Sequence, residues 1–296
     1  MSYKRDSDCS KSLFVTNFYA INNILTGDKM NSLVLMALVA TLGTCAVNAL
    51  GAATVIFFKK PNVKLLNIML GFASGVMIAA SFWSLLQPAI ERAEAYSSLP
   101  PYLVATLGFL FGAVFMWVSD KAVSFAQRKA DSSEGSRNEK LNRIFMLVLS
   151  ITLHNIPEGL AIGVAFGALQ GGAYSNEALM GAITIAVGIG LQNFPEGAAI
   201  SMPLRREGYS RRKSFLFGLL SGAVEPAAGV VGALLVVYNE AILPYALAFA
   251  AGAMILVAVH ELIPECQQNQ SENPYLATMG IVGGFALMML LDVMLG

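Results

Sequence analysis

Long apolar stretches and short polar connections alternate along this chain. Eight of the stretches are long enough to cross a bilayer as a helix, which takes about 20 mostly apolar residues. The predicted spans run approximately over 33–58, 65–90, 101–119, 144–169, 178–203, 214–238, 241–265 and 275–295. The pattern therefore predicts an all-α integral membrane protein with eight transmembrane helices in a single bundle.

Two segments outside the predicted spans have a different pattern. In residues 1–32, apolar residues recur at helical spacing (Phe14, Phe18, Ile21 and Leu25), which predicts an amphipathic helix on the membrane surface. Polar residues interrupt this stretch, so a cleaved signal peptide is not expected. The segment of about 126–142 contains KADSSEGSRNEK and is predicted to be a disordered loop. Residues 33–296 are then expected to form one helical domain.

Composition agrees with a membrane protein. Of the 296 residues, 56% are hydrophobic and 13% are charged, whereas a soluble domain has about 25% charged residues. The mean hydropathy is +0.62. The formal net charge is zero, which argues against nucleic acid as a partner. The three cysteines form no pair at metal-binding or redox spacing, so they indicate no chemistry.

Basic residues are concentrated in alternate connections between the spans. Most of the 19 lysines and arginines follow the first, third and fifth spans. They are Lys59, Lys60, Lys64, Lys121, Arg128, Lys129, Arg137, Lys140, Arg143, Arg205, Arg206, Arg211, Arg212 and Lys213. Because cytoplasmic loops retain basic residues during insertion, these loops are predicted to face the cytoplasm. An even number of spans then places both termini on the outer side, which makes residues 1–32 extracytoplasmic.

Ionisable side chains occur inside several predicted spans, where they are costly and usually face a cavity or another polar group. They are His154, Glu158, Glu196, Glu225, His260, Glu261 and Asp292. Both histidines of the chain are in this set. Asp292, near the outer end of the eighth span, is expected to cap the helix or face solvent. The other residues lie in the fourth to seventh spans, so this part of the bundle is predicted to be more polar than the first three spans.

The fourth and fifth spans carry the same arrangement of polar residues. Residues four apart lie on one face of a helix, so His154 projects beside Glu158, and Gln192 beside Glu196. Asn155 and Asn193 each lie one position further, about 100° around the helix. Each span thus offers a nitrogen or oxygen ligand one helical turn from a carboxylate. The asparagine in each span could reach a second ligand position beside the first.

Three prolines stand directly beside these carboxylates. Pro157 precedes Glu158, Pro195 precedes Glu196, and Pro226 follows Glu225. Proline removes a helical hydrogen bond, and such interruptions are tolerated in a bilayer where they line a cavity. His154 and Glu225 are predicted to lie about 15 Å into the membrane and Gln192 about 21 Å from the opposite side. This pattern is typical of a mid-membrane ion site.

The buried carboxylates require a positive partner. The interiors of the fourth to eighth spans contain no lysine or arginine, so protons or metal cations remain as partners. Histidine, amide and carboxylate ligands together suit borderline divalent metals such as Zn²⁺ and Fe²⁺. The alternative interpretation is an interhelical hydrogen-bond network without metal, which would leave two carboxylates unneutralised.

The doubled motif of HNIPEG at 154–159 and QNFPEG at 192–197, in an eight-span protein, resembles the ZIP (Zrt/Irt-like protein) family of divalent metal transporters, in particular its GufA-like branch. The resemblance implies a multi-pass protein of the plasma (inner) membrane that is not an enzyme. Its substrate would be Zn²⁺ or another divalent metal (Fe²⁺, Mn²⁺ or Cd²⁺), carried into the cytoplasm without an organic cofactor.

The resemblance also implies roles for individual residues. One metal position would use His154, Glu158, Gln192 and Glu196, with Met77 as a further ligand. A second, adjacent position would use Asn155, Asn193 and Glu225, bridged by residues of the first. His260 and Glu261 resemble release-path residues, and Glu91 an entrance carboxylate. This chain departs from many members in having Gln192 in place of histidine and Asn193 in place of aspartate, and it lacks a histidine-rich loop after the third span.

Two other classes of protein could place polar residues in membrane helices. A membrane-embedded metal hydrolase is expected to have an H-E-x-x-H helix or three histidines around an open position, and this chain has only two histidines. A proton-coupled carrier of organic substrates would need a more aromatic or basic pocket. The sequence leaves open which metal is physiological, how transport is driven and whether the protein forms a homodimer.

Overall fold

The structure, a computed structural model, describes residues 29–57, 62–131, 136–170, 175–267 and 275–295. These residues form helices and contain no strand. The amphipathic helix predicted within residues 1–32 lies outside the described part of the chain. The same is true of Lys59 and Lys60 in the first basic loop.

Eleven α-helices are assigned in the described residues. They are α1 (Lys29–Phe57), α2 (Val63–Ala80), α3 (Gln87–Tyr96), α4 (Pro101–Asp131), α5 (Ser136–Gly167), α6 (Asn176–Arg206), α7 (Arg211–Gly222), α8 (Glu225–Tyr238), α9 (Leu243–Val257), α10 (Ile263–Gln267) and α11 (Tyr275–Leu295). A π-helical segment, Ser81–Leu86, joins α2 to α3, and another, Ala258–Leu262, joins α9 to α10. A short 3₁₀ turn, Glu240–Ile242, precedes α9.

Seven stretches of helix in the described residues are long and apolar enough to span a membrane. They correspond to the predicted spans other than 144–169, which coincides with α5. Large apolar side chains such as Phe111, Trp117 and Val293 are exposed on the outside of the bundle, as expected for a surface in contact with lipid. The count of eight and the orientation of the helices in the membrane stay predictions.

The helices depart from the predicted spans at three places. The second and seventh spans each continue through a π-helical segment, and such segments often mark functional sites. The sixth span, 214–238, is divided into α7 and α8, and α8 begins at Glu225 with Pro226 in its first turn. Proline is well accommodated there because its missing N–H would have no helical partner.

The loop of about 126–142, expected to be disordered, is helical wherever the structure describes it. Helix α4 continues to Asp131, and α5 begins at Ser136. The reason is local, because Lys, Arg, Glu, Gln and Ala favour helix strongly enough to extend both helices beyond the apolar stretch. The prediction of disorder is therefore corrected for 126–131 and 136–142.

The helices pack in pairs through close backbone approach. The most extensive contacts join α1 to α6, α5 to α8, α2 to α11 and α4 to α9. Helices α1, α5, α6, α7 and α8 contact one another and carry both repeated motifs. A large apolar cluster contains residues of both these helices and α2, α4 and α9. The two motifs are therefore held inside one tightly packed group of helices.

Gly51 in α1 tests this close packing, because a Cβ there would overlap the backbone carbonyl of Phe194 in α6. We expect Gly51→Ala to destabilise the protein by about 1–3 kcal/mol, the usual cost of inserting atoms into a packed core. Gly43→Ala, in the same helix, is the matched control because no heavy atom lies within 4 Å of a Cβ at that position. Thermal unfolding in detergent measures both. Equal midpoints for the two variants would contradict the observed packing.

Candidate metal site

Helices α1, α5 and α6 and the start of α8 meet at a polar cluster in the interior. The seven residues that the sequence predicted for the two metal positions on α5, α6 and α8 are all buried here. They are His154, Asn155, Glu158, Gln192, Asn193, Glu196 and Glu225, with exposures between 0% and 6%. Pro157 and Pro195 lie inside α5 and α6, which remain helical through both motifs. The chain is instead interrupted between α7 and α8, directly before Glu225.

The first predicted position contains a direct contact between the two motifs. Gln192 Nε2 donates to Glu158 Oε1 at 2.7 Å, which fixes the carboxylate of α5 against the amide of α6. The second oxygen of Glu158 and the amide oxygen of Gln192 accept no hydrogen bond from any described residue. Glu196, one turn after Gln192, likewise leaves Oε1 without a partner among the described residues. These oxygens are buried lone pairs available to a cation.

Unpartnered acceptors are unusually concentrated in this cluster. Half of the buried side-chain polar atoms that lack a partner within the described residues belong to the two motifs. They are Asn155 Oδ1, Glu158 Oε2, Gln192 Oε1, Asn193 Oδ1 and Glu196 Oε1. Each unsatisfied buried polar group costs about 1–3 kcal/mol, and a charged one costs more. Three of these oxygens, on Glu158, Gln192 and Glu196, belong to the first predicted position, and their chemistry matches a metal ion.

Glu225, at the second predicted position, is surrounded by donors instead. Asn193 Nδ2 donates to its Oε1 at 2.8 Å, Asn155 Nδ2 to the same oxygen at 3.4 Å, and Thr44 Oγ1 to its Oε2 at 2.5 Å. The carboxylate also stands in the first turn of α8, where the helix dipole favours negative charge. Thr44 could not be found from the sequence, since a threonine in an apolar helix usually bonds its own backbone. Its hydroxyl also lies 3.0 Å from the Thr41 carbonyl, so its single proton is shared between this carbonyl and Glu225.

The histidine of the first motif connects the cluster to the π-helical segment Ala258–Leu262. His154 Nε2 lies 2.8 Å from Glu261 Oε1, so Glu261 holds the imidazole and leaves Nδ1 as the other nitrogen. His260, the neighbouring predicted path residue, lies with its Nε2 3.5 Å from Asp120 Oδ2. Its side chain is 62% exposed. Glu261 therefore contacts the cluster through His154, whereas His260 contacts Asp120.

Asp120 is a candidate ligand that sequence analysis did not find. Ligand atoms of Asp120, His154 and Glu261 all lie within 4.8 Å of one another, a spacing that could hold a metal ion. In the sequence Asp120 stands beside Lys121, just after the third predicted span, and looks like a solvated loop residue. Asp120 and His154 lie in different segments of the chain, so the periodicity of a single helix does not place them together. The packing of α4 against α5 brings the two residues together.

Met77 and Glu91 are the remaining residues that the sequence predicted for the metal path. Met77 is buried within the large apolar cluster. Its role as a ligand stays a prediction. Glu91 is exposed, accepts from Gln87 Nε2 at 3.1 Å, and lines a cavity of about 650 Å³ that Glu177 and Asp292 also line. This cavity lies at the helix ends opposite the basic loops, and the role of Glu91 at an entrance stays a prediction.

Asp292 does not simply cap its helix or face solvent. Its Oδ1 accepts from Ser84 Oγ at 2.5 Å, which joins α11 to the π-helical segment Ser81–Leu86. Its Oδ2 is buried and has no partner among the described residues. The expectation was wrong because the π-helical segment Ser81–Leu86 lies beside Asp292, so that Ser84 bonds one of its oxygens while the other is buried.

Comparison with known proteins agrees with the doubled motif. Residues 126–292, more than half of the chain, match the family described as ZIP Zinc transporter. Zinc transporter ZIP11 of Xenopus tropicalis is 39% identical over 89% of this chain and 98% of its own length. Zinc transporter GufA of Myxococcus xanthus is 35% identical over 88% and 98%, and Zinc transporter ZIPB of Bordetella bronchiseptica 34% over 93% and 86%. The chain therefore belongs to the ZIP family of multi-pass membrane transporters.

Proposed function

We propose that this protein carries Zn²⁺, or a related divalent metal such as Fe²⁺, Mn²⁺ or Cd²⁺, across the plasma (inner) membrane into the cytoplasm. Its substrate site is the buried cluster of His154, Glu158, Gln192 and Glu196. The observation that carries this proposal is the group of buried oxygens on α5 and α6 that accept no hydrogen bond from the described residues. A divalent cation would satisfy them and neutralise two carboxylates at once.

The ligand types favour a borderline transition metal over calcium or magnesium. The site offers one imidazole, two carboxylates and an amide oxygen, whereas Ca²⁺ prefers six to eight oxygen ligands. Imidazole nitrogen suits Zn²⁺ and Fe²⁺. Because His154 Nε2 faces Glu261, its Nδ1 is the nitrogen that we assign to the metal. The carboxylate behind the imidazole would fix its tautomer and strengthen it as a ligand.

The arrangement also provides a route on either side of the cluster. The cavity at the predicted outer face is lined by three acidic residues, Glu91, Glu177 and Asp292, and by one basic residue, Arg92. Because the acidic residues outnumber Arg92, the cavity would attract hydrated cations. On the other side, Glu261 and Asp120 lie beside His154, and His260 is exposed. We infer that the ion exchanges water for the ligands of α5 and α6 and then leaves along these residues. Transport requires binding strong enough to remove water but weak enough to permit release.

The alternatives from the sequence gain no support. The relatives carry transporter names, and none of the three described above is named as a hydrolase. A carrier of organic anions would need a basic residue in the interior, and the motif helices provide none there. Zinc stands first among the substrates because the three relatives are all named zinc transporters.

Uptake by proteoliposomes tests the proposed function. Purified protein in liposomes containing a zinc-sensitive dye is expected to give saturable zinc accumulation. Cd²⁺ should compete with zinc, whereas Mg²⁺ and Ca²⁺ at the same concentration should not, because they bind imidazole poorly. Protein-free liposomes measure leakage. Zinc accumulation no faster than in those liposomes would contradict the proposal.

A further inference from the structure

We propose that the buried cluster binds one divalent ion per chain, and that Glu225, Asn155, Asn193 and Thr44 form a hydrogen-bonded anchor in place of a second metal position. This inference rests on the proposed function and specifies the number of ions that the motif helices hold. It departs from the pair of adjacent positions that the family resemblance implies.

Both oxygens of Glu225 already accept hydrogen bonds from neighbouring side chains. Oε1 accepts from Asn193 at 2.8 Å and from Asn155 at 3.4 Å, and Oε2 accepts from the Thr44 hydroxyl at 2.5 Å. All four residues are buried, with exposures of at most 3%. Buried carboxylates are stabilised by such donors, and the N-terminus of α8 adds the favourable end of a helix dipole. Glu158 and Glu196, in contrast, each leave a buried oxygen unpartnered among the described residues.

The two asparagine side chains cannot easily turn their oxygens towards Glu225. Asn155 Nδ2 also donates to the Ser221 carbonyl at 3.1 Å, and Asn193 Nδ2 lies 3.5 Å from the Thr44 carbonyl. A carbonyl oxygen only accepts hydrogen bonds. Flipping either amide would therefore bring two acceptor oxygens together and remove a donor from Glu225. The amide oxygens of Asn155 and Asn193 have no partner among the described residues, but a metal at Glu225 would have to displace the amide donors that already contact its Oε1.

The three carboxylates differ in the contacts that they leave for a metal. One divalent ion would neutralise Glu158 and Glu196, whereas Glu225 has three donors within hydrogen-bonding distance of its two oxygens. Asn193 is the decisive residue, because an aspartate at this position would accept where the amide donates. Two carboxylates would then face each other in the interior, and a buried pair of like charges requires a cation or a proton.

Thr44 has a positioning role in this arrangement. Its hydroxyl comes from α1, a helix with no ionisable residue near the cluster other than Cys45. Together with Asn155 and Asn193 it ties three helices to the start of α8. Valine has nearly the same shape as threonine but has no hydroxyl, so Thr44→Val is expected to weaken the anchor, and Thr44→Ser to restore it.

The experiment counts zinc ions bound to purified, metal-free protein by equilibrium dialysis, for the wild type and three variants. Glu225→Gln should bind the same number of ions as the wild type. Asn193→Asp should bind one more, and the combined Asn193→Asp, Glu225→Gln variant should lose this additional ion. Comparing variants in this way cancels any zinc held elsewhere on the chain. Anomalous scattering from zinc-soaked crystals should show a peak beside Glu225 only in Asn193→Asp.

Three outcomes would overturn the inference. They are the loss of one ion in Glu225→Gln, no gain in folded Asn193→Asp, and a wild-type anomalous peak within bonding distance of Glu225. If the wild type bound no zinc near Glu158 and Glu196, the proposed function itself would fail, and this inference with it. If zinc bound both near Glu158 and Glu196 and at Glu225, only the single-ion arrangement would be rejected, and the proposed function would stand.

Discussion

Replacing both Glu158 and Glu196 with glutamine is expected to reduce zinc uptake by at least about 100-fold. Substitution of groups that merely orient metal ligands costs about 10- to 100-fold in affinity or activity, and these two carboxylates are assigned as ligands. Each has a buried oxygen without a partner among the described residues. Glutamine preserves their size and removes the charge that would draw the ion out of water.

The glutamine variant should remain folded, which separates this prediction from simple loss of protein. Replacing a buried charge with a neutral group of the same shape is often neutral or stabilising, and in the absence of metal these carboxylates repel each other and Glu225. We therefore expect the metal-free variant to unfold at the same temperature as the metal-free wild type or at a higher one.

Uptake into proteoliposomes, normalised to the amount of inserted protein, measures the effect. Glu94→Gln is the matched control, because it is the same substitution at an exposed position at the end of α3. That variant should transport zinc at the rate of the wild type. Undiminished uptake by the Glu158→Gln, Glu196→Gln protein would remove the cluster from the transport path.

Zinc is expected to stabilise the wild-type protein strongly. A ligand that binds only the folded state contributes about 2.7 kcal/mol when its free concentration is 100 times Kd. For a chain of this size that corresponds to a rise of roughly 5 °C or more in Tm. The physical source is the neutralisation of Glu158 and Glu196 and the satisfaction of the Gln192 amide oxygen, which otherwise lacks a partner among the described residues.

Thermal unfolding in detergent at increasing free zinc concentration measures this stabilisation. The midpoint should rise with the logarithm of zinc concentration above Kd, and Mg²⁺ should give little change. The Glu158→Gln, Glu196→Gln protein should show almost no zinc-dependent rise, whereas Glu94→Gln should behave as the wild type does. A midpoint that rises equally in the glutamine variant would place the stabilising ion at another site.

Much of the polar cluster could be predicted from local sequence. The spacing of His154 and Glu158, repeated by Gln192 and Glu196, places each pair on one helix face, because helical geometry is fixed over four residues. The cost of ionisable groups in a bilayer then indicated a functional site. The structure buries all four residues and joins the two motifs through Gln192 and Glu158.

Other features could not be predicted in this way because they depend on contacts between distant segments. Thr44 and Glu225 are separated by 181 positions, yet their side chains are 2.5 Å apart. The sequence places Asp120 in a loop, whereas the packing of α4 against α5 brings it close to His154. The predicted spans also stopped short of the ends of α4 and α5. The length of an apolar stretch indicates where a helix crosses lipid, but polar residues can continue the helix beyond it.

The sequence by itself determined the membrane class, the helical spans and the pair of motif faces, because hydrophobicity and helical periodicity are local properties of the chain. Only the tertiary structure decided which buried oxygens lack a partner among the described residues and which carboxylate accepts hydrogen bonds at both oxygens. Glu158, Glu196 and Glu225 are all acidic residues beside prolines in apolar stretches. Their difference arises from neighbours on other helices, since a hydrogen bond depends on where packing places its donor.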